Sequence, residues 1–108
     1  MRDHLDDAFH SPARLQVAAF LSGCDEAAFG TVLESCGLTK STLSKSVRAL
    51  EDARYVAVRK GYHGRMPRTW LSLTPKGRKA LAAHLNALRR LADDAVSASR
   101  AEASAATR

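Results

Sequence analysis

LTKSTLSKSVRALEDARYV, residues 38 to 56, is the stretch around which the chain is organised. Leu43, Val47 and Leu50 fall at i, i+4 and i+7, one stripe of an α-helix. Thr39 stands just ahead of that run, in the place of an N-cap. The opposite face carries Lys40, Ser41, Thr42, Ser44, Lys45 and Arg48, with no carboxylate before Glu51. A helix that opens on short hydroxyls and lysines, free of acids, suits a groove lined with phosphates. The same pattern also describes an ordinary solvated amphipathic helix, so its surroundings must decide.

The charge around it is segregated. Between Gly37 and Lys79 eleven basic residues face only Glu51 and Asp52, a local balance of +9 in a chain whose formal total is +6. The remaining residues are therefore net acidic, at −3. A positive block set off in this way is the footprint of a nucleic-acid surface. The 108 residues suffice for one domain with one core. No apolar run approaches a membrane span, and MRDHLDDAFH is too polar and acidic for a signal peptide, so a cytoplasmic protein without a membrane partner is expected.

The titratable residues point away from catalysis and from metal. Cys24 and Cys36 lack the flanking cysteines or histidines of a zinc site, and in a cytosolic chain two such cysteines read as free thiols. A redox role for either is weakened by Asp25 and Glu34, which would raise rather than lower a thiol pKa. His4, His10, His63 and His84 are scattered without ligand spacing, so no metal or other cofactor is expected. No phosphate loop, nucleophile elbow or catalytic carboxylate cluster is present, and an enzyme is not expected.

Upstream of the opening stretch, residues 1–10 read as an arm or short helix with Leu5, Ala8 and Phe9 on one side. Ser11-Pro12 supplies an N-cap and a first-turn proline. The helix that follows turns Leu15, Ala18 and Ala19 inward, with Phe20 or Leu21, and stops at Ser22-Gly23. Asp25 is the expected cap of a shorter helix burying Phe29, Val32 and Leu33, which Gly37 ends as a left-handed residue. Helix, short helix, tight turn and longer helix make a helix-turn-helix.

Downstream the period changes. Tyr55 to Arg59 reads as a strand, Lys60 to Arg68 (KGYHGRMPR) as a basic loop, and Thr69 to Leu73 as the return strand, with Trp70 opposed to Leu71 and Leu73 by parity. Such a hairpin projects as a wing. Its basic tip is also compatible with a merely solvated turn. Gly61 and Gly64 read as conformational residues, and Trp70 as core or interface rather than a base-stacking platform. Thr74-Pro75 then starts a last helix with Leu81, Leu85, Leu88 and Ala92 in one stripe, widened by Leu91 and Val96. The fold class is thus mostly α with a small β-hairpin (α+β). It divides into an arm (1–10), a helix-turn-helix core with a wing (11–74), a C-terminal helix (75–96) and a disordered tail (97–108) poor in apolar bulk.

Three blocks, HSPARLQVAAFL, GLTKSTLSKSVRALEDARYV and KGYHGRMPRTWLSLTPKGRKAL, occur in an order and spacing that resembles the winged-helix transcriptional regulators of the MarR and ArsR type. The chain is most similar to a compact bacterial subgroup of winged-helix DNA-binding domain regulators, over roughly residues 5–92. It departs at Ala53-Arg54, where such proteins commonly close the recognition helix on a glycine.

The resemblance implies double-stranded DNA as partner, with the helix of about 39–53 in the major groove and the wing of about 55–74 in the minor groove. Ser41, Thr42, Ser44 and Lys45 are the expected base contacts. Lys40, Arg48 and Lys60 are expected on phosphates, and Arg65, Arg68 and His63 at the minor groove. It implies a regulator, expected to repress, that binds its operator as a homodimer; no effector site is visible in the sequence, and a small-molecule effector stays an open, unidentified partner. Leu5, Phe9, Leu85, Leu88, Leu91 and Ala92 are the expected dimer contacts, because a small core would leave much of the leucine stripe exposed. Intramolecular packing of that stripe is the competing assignment for those leucines. At the level of function, the competing class is a winged-helix module that binds protein, or binds DNA without sequence preference.

Overall fold

The structure, a computed structural model, describes residues 5–106. Residues 1–4 of the expected arm, including His4, and 107–108 of the expected tail lie outside the described residues. Four helices and a three-stranded antiparallel sheet follow in the order α1 (Pro12–Ser22), β1 (Ala27–Ala28), α2 (Phe29–Cys36), α3 (Lys40–Asp52), β2 (Val56–His63), β3 (Met66–Leu73) and α4 (Pro75–Ala106). A single 3-10 turn, Asp7–Phe9, precedes them.

The opening stretch folds on local signals. The Thr39 hydroxyl accepts the Thr42 N–H at 3.1 Å and starts α3. Leu43, Val47 and Leu50 then meet Val17, Leu21 and Val32 in the core. Leu43 and Leu50 are fully buried, which stabilises the fold by roughly 1.5–3 kcal/mol each. Both ends of the turn-helix unit close alike. Gly37 is left-handed at φ 64°, and the Leu38 and Gly37 N–H groups reach back to Leu33 and Glu34. Arg54 adopts the same conformation at φ 66°, with the Tyr55 N–H bonded to Leu50 O and the Arg54 N–H to Glu51 O. The glycine missing from this position is thus replaced by a strained arginine in a complete capping motif.

The sheet runs in the order β1-β3-β2. Asp25 caps no helix: α2 starts at Phe29, and Ala27 and Ala28 pair instead with Leu71 and Trp70 of β3. That correction has a tertiary cause, since β1 supplies hydrogen bonds to an otherwise open edge. The expected loop from Lys60 to Arg68 is also corrected. Paired strands continue to the His63↔Met66 rung, leaving Gly64-Arg65 as a two-residue turn. Gly64 alone of the two has positive φ (64°), the sign pattern of a type II′ hairpin turn. Pro67 is accommodated because β3 has no partner on its other side there. In α1 the buried set is Val17, Ala18 and Leu21; Ala19 faces out, contrary to its expected inward place.

Phe9 leaves the expected dimer set. It is 2% exposed, stacks on Tyr55 at 5.4 Å between ring centroids and leans against His84 at 5.2 Å. The Asp6 N–H donates to His84 Nδ1 at 2.9 Å, and the Tyr55 hydroxyl donates to the Asp6 carboxylate. The arm is therefore a clamp joining the start of the wing to α4. At the same junction the Thr74 hydroxyl accepts the Gly77 N–H and donates to Arg54 O. A Cβ on Gly77 would lie 2.2 Å from Tyr55 O, so only glycine lets α4 start there.

α4 corrects the tail. It continues without a break to Ala106, and the expected disorder beyond residue 96 is absent from the described residues. The stretch lacks apolar bulk, but after Gly77 it has no glycine or proline and is rich in alanine. Extending a helix already nucleated and packed takes little more than such propensity.

Candidate nucleic-acid interface

α3 and the hairpin stand side by side with an open cleft of about 770 Å³ between them. Val47, Val58 and Leu71 line its apolar part, while Lys40, Ser44 and Arg48 of α3 face Lys60 and Thr69 of the hairpin. Lys40, Ser44 and Arg48 recur every four residues, so they form one ridge of α3; Ser41 and Lys45 form the neighbouring ridge. All five side chains are exposed. Glu34 and Glu51 lie at the cleft as well and limit its positive character.

Thr42 is set apart from the other expected base contacts, because its hydroxyl accepts a hydrogen bond from the Thr39 hydroxyl at 2.9 Å. That ties it to the N-cap while leaving its own proton to donate onward. Ser46 is buried, and its hydroxyl bonds back to Thr42 O at 2.8 Å.

Strand parity divides the wing. Val58, Lys60 and Tyr62, paired with Leu71, Thr69 and Pro67, share the face that turns towards the cleft. Arg59, His63, Met66, Arg68 and Trp70 occupy the other face. The Arg68 guanidinium lies 5.7 Å from the Trp70 ring and that of Arg59 lies 5.2 Å away. Trp70 is half-buried and serves as a platform for arginine. Lys60 and Arg68, expected to act together, start from opposite strand faces by parity, yet both line the cleft, with Arg65 between them at the turn. Tyr62, exposed on the cleft side, was not among the expected contacts; its motif position beside Gly61 was the available signal.

Several cations of the basic block are engaged within the chain. Arg59 forks onto Glu26 at 2.6 and 2.9 Å, and that guanidinium holds the Glu26 carboxyl below its ordinary pKa. Arg78 caps Ser22 O and Cys24 O at 3.1 and 2.9 Å, and Lys76 sits 5.6 Å over the Tyr55 ring. Lys40, Lys45, Arg48, Lys60 and Arg65 form no ion pair among the described residues. The outward charge is thus concentrated on α3 and the wing.

No three His, Cys, Asp or Glu side chains group as a metal site among the described residues. Burial raises the Cys36 thiol pKa, which works against a reactive thiolate. Among the described residues no helix is long and apolar enough to cross a membrane.

No curated protein gives a significant sequence match. Among solved structures, a transcriptional regulator homologue from Pyrococcus horikoshii is 28% identical with a TM-score of 0.76, over 81% of this chain and 86% of that one. A MarR-family regulator from Silicibacter pomeroyi is 27% identical (TM-score 0.60), over 81% of this chain and 57% of that one. PcaV from Streptomyces coelicolor, a transcriptional regulator solved with its natural ligand, shares the fold at 22% identity (TM-score 0.70), over 86% of this chain and 64% of that one. The resemblance in the sequence therefore holds on its MarR side. The model of the winged helix DNA-binding domain matches residues 13–92, and the chain belongs to that family, with the fold of the MarR-type transcriptional regulators.

Proposed function

We propose that this chain is a sequence-specific regulator of transcription, a repressor, that binds double-stranded DNA as a homodimer. α3 lies in the major groove, where Ser41, Thr42, Ser44 and Lys45 meet base edges and Lys40 and Arg48 meet phosphates. The wing reaches the adjoining minor groove with Arg65 at its tip, Lys60 on the phosphate strand between, and Arg68 and His63 on the far side. The observation that carries this reading is the outward face of α3: hydroxyls and cations on two ridges, with no ion pair among the described residues, on a chain of a DNA-binding family.

The dimer is supported by α4. Beyond Ala87 no described residue of α4 is buried, yet Leu88, Leu91 and Val96 are apolar. Residues 88–106 correspond to about 28 Å of helix. A second copy packed along Leu85, Leu88, Leu91 and Ala92 covers its apolar side, with Leu5 at the edge. The ligand held by PcaV supports a small-molecule effector for this chain too.

A gel-shift titration against the promoter region beside the chain's own gene tests the reading. Preferential binding is expected, with a log–log salt slope of roughly −5 to −7 for six to eight phosphates neutralised per dimer. Binding without sequence preference at moderate salt would overturn it and leave a non-specific or protein-binding module.

A further inference from the structure

Tyr62 and Met66 are the most exposed large hydrophobic residues of the described chain, at 73% and 67%. They belong to the last two rungs of the hairpin, Tyr62↔Pro67 and His63↔Met66, on paired strand rather than floppy loop. Tyr62 ends the row Val58, Lys60, Tyr62, which runs from the apolar part of the cleft through a cation to the tip. A shallow depression of about 310 Å³ along Lys60, Gly61, Tyr62, Pro67, Arg68 and Thr69 continues that row. Opposite Tyr62, Pro67 stiffens the rung.

An aromatic ring held outward on a stiff rung, with Lys60 two residues before it and Arg65 three after, fits a surface that alternates apolar sugar with anionic phosphate. A purely apolar protein partner would gain nothing from those cations, whereas a nucleic-acid strand uses all three. We propose that Tyr62 is a DNA-contacting residue: its ring packs on deoxyribose at the wall of the minor groove, and its hydroxyl donates to a phosphate oxygen. The inference rests on the regulator reading and adds to it a contact that is not a charge. A neutral side chain displaces no condensed counterion, so its contribution is independent of salt.

The test uses the full chain and the DNA fragment selected in the gel-shift titration. Tyr62→Ala weakens binding about tenfold, a typical loss for one aromatic contact to nucleic acid, while the salt slope stays at the wild-type value. Tyr62→Phe, which keeps the ring and loses only the hydrogen bond to the anionic oxygen, falls between wild type and Tyr62→Ala. Nitration of tyrosine gives a second readout. The chain has two tyrosines, and Tyr55 has its pKa pushed up to about 12 by its hydrogen bond to Asp6, by burial and by the Asp6 charge. Tetranitromethane attacks phenolate, so Tyr62 is the residue modified in the free protein, and bound DNA protects it. Wild-type affinity of Tyr62→Ala, or nitration unaffected by DNA, would overturn the contact while leaving the regulator reading intact. A shallower salt slope for Tyr62→Ala would overturn it too, because the residue would then act by positioning cations. Wild-type protein that shows no preference for any fragment defeats both proposals together.

Discussion

α3 and α4 are both amphipathic helices, and the chain treats their two faces in opposite ways. α3 buries its whole apolar stripe, Leu43, Val47 and Leu50, and turns hydroxyls and cations outward. α4 buries Gly77, Leu81, His84 and Ala87, then runs on to Ala106 with Leu88, Leu91 and Val96 exposed. One helix carries a polar surplus and the other an apolar surplus, and the isolated chain satisfies neither. On the proposed reading two partners of opposite chemistry take up these surpluses: a polyanion on α3 and the wing, an apolar surface on α4.

The comparison breaks most visibly at α4. Leu88→Glu with Leu91→Glu places charges on the proposed interface while touching no buried residue. Sedimentation should then give monomers, and operator affinity should fall at least about a hundredfold as two half-sites cease to be bound jointly. An unchanged dimer would remove the second half of the comparison.

On α3 the expected effects are smaller and differ in kind. Lys45→Ala should cost about 1–3 kcal/mol on the preferred site and less elsewhere, so selectivity narrows in binding assays across sequences. Arg65→Ala should weaken all sites about equally and make the salt slope shallower by about 1. Arg68→Ala should do less than Arg65→Ala, since Arg68 spends part of its charge on Trp70. Equal effects on every sequence from Lys45 and Arg65 would mean that α3 is not the reader.

Acid tests the clamp that joins the start of the wing to α4. Burial above all, and then His10, depress the His84 pKa below its ordinary 6.5, while Asp6 opposes them. Its Nδ1 accepts the Asp6 N–H, so the folded state holds it neutral. In the unfolded chain the imidazole recovers its ordinary value and takes up a proton first as pH falls. The unfolded state then binds more protons, so this contribution is intact above about pH 6.5 and is lost as pH drops through the depressed folded value. Tm should therefore fall over that window, and His84→Asn, which keeps an acceptor near Nδ1, should flatten the fall. A parallel pH profile for the variant would assign the acid sensitivity to other groups.

The smallest effect is expected where α3 ends. Arg54→Gly relieves a left-handed conformation that costs a residue with a Cβ about 1–2 kcal/mol, offset by the larger entropy glycine loses on folding. A net gain of about 0.5–1 kcal/mol in denaturant unfolding is expected, with DNA affinity unchanged.

Local rules in the sequence carry a definite share of this protein. The stripe of Leu43, Val47 and Leu50, the Thr39 cap, the Gly37 stop and the basic block are legible because each depends on neighbours within one or two turns. They suffice for a helix-turn-helix with a wing and for the outward face of α3. What they leave open depends on distant residues. Phe9 lies on the same side of the arm as Leu5, yet only the meeting of the arm with Tyr55 and His84 decides that it is core. Ala27 and Ala28 form a strand only because β3 offers them an edge. Lys60 and Arg68 lie in one basic segment, but pairing across the hairpin sends them to opposite faces. Arg59 and Arg78 count as positive charge in the sequence, and folding engages them with Glu26 and with the carbonyls of Ser22 and Cys24. Composition fixes how much charge and apolar surface the chain has, whereas long-range pairing decides which of it remains for a partner.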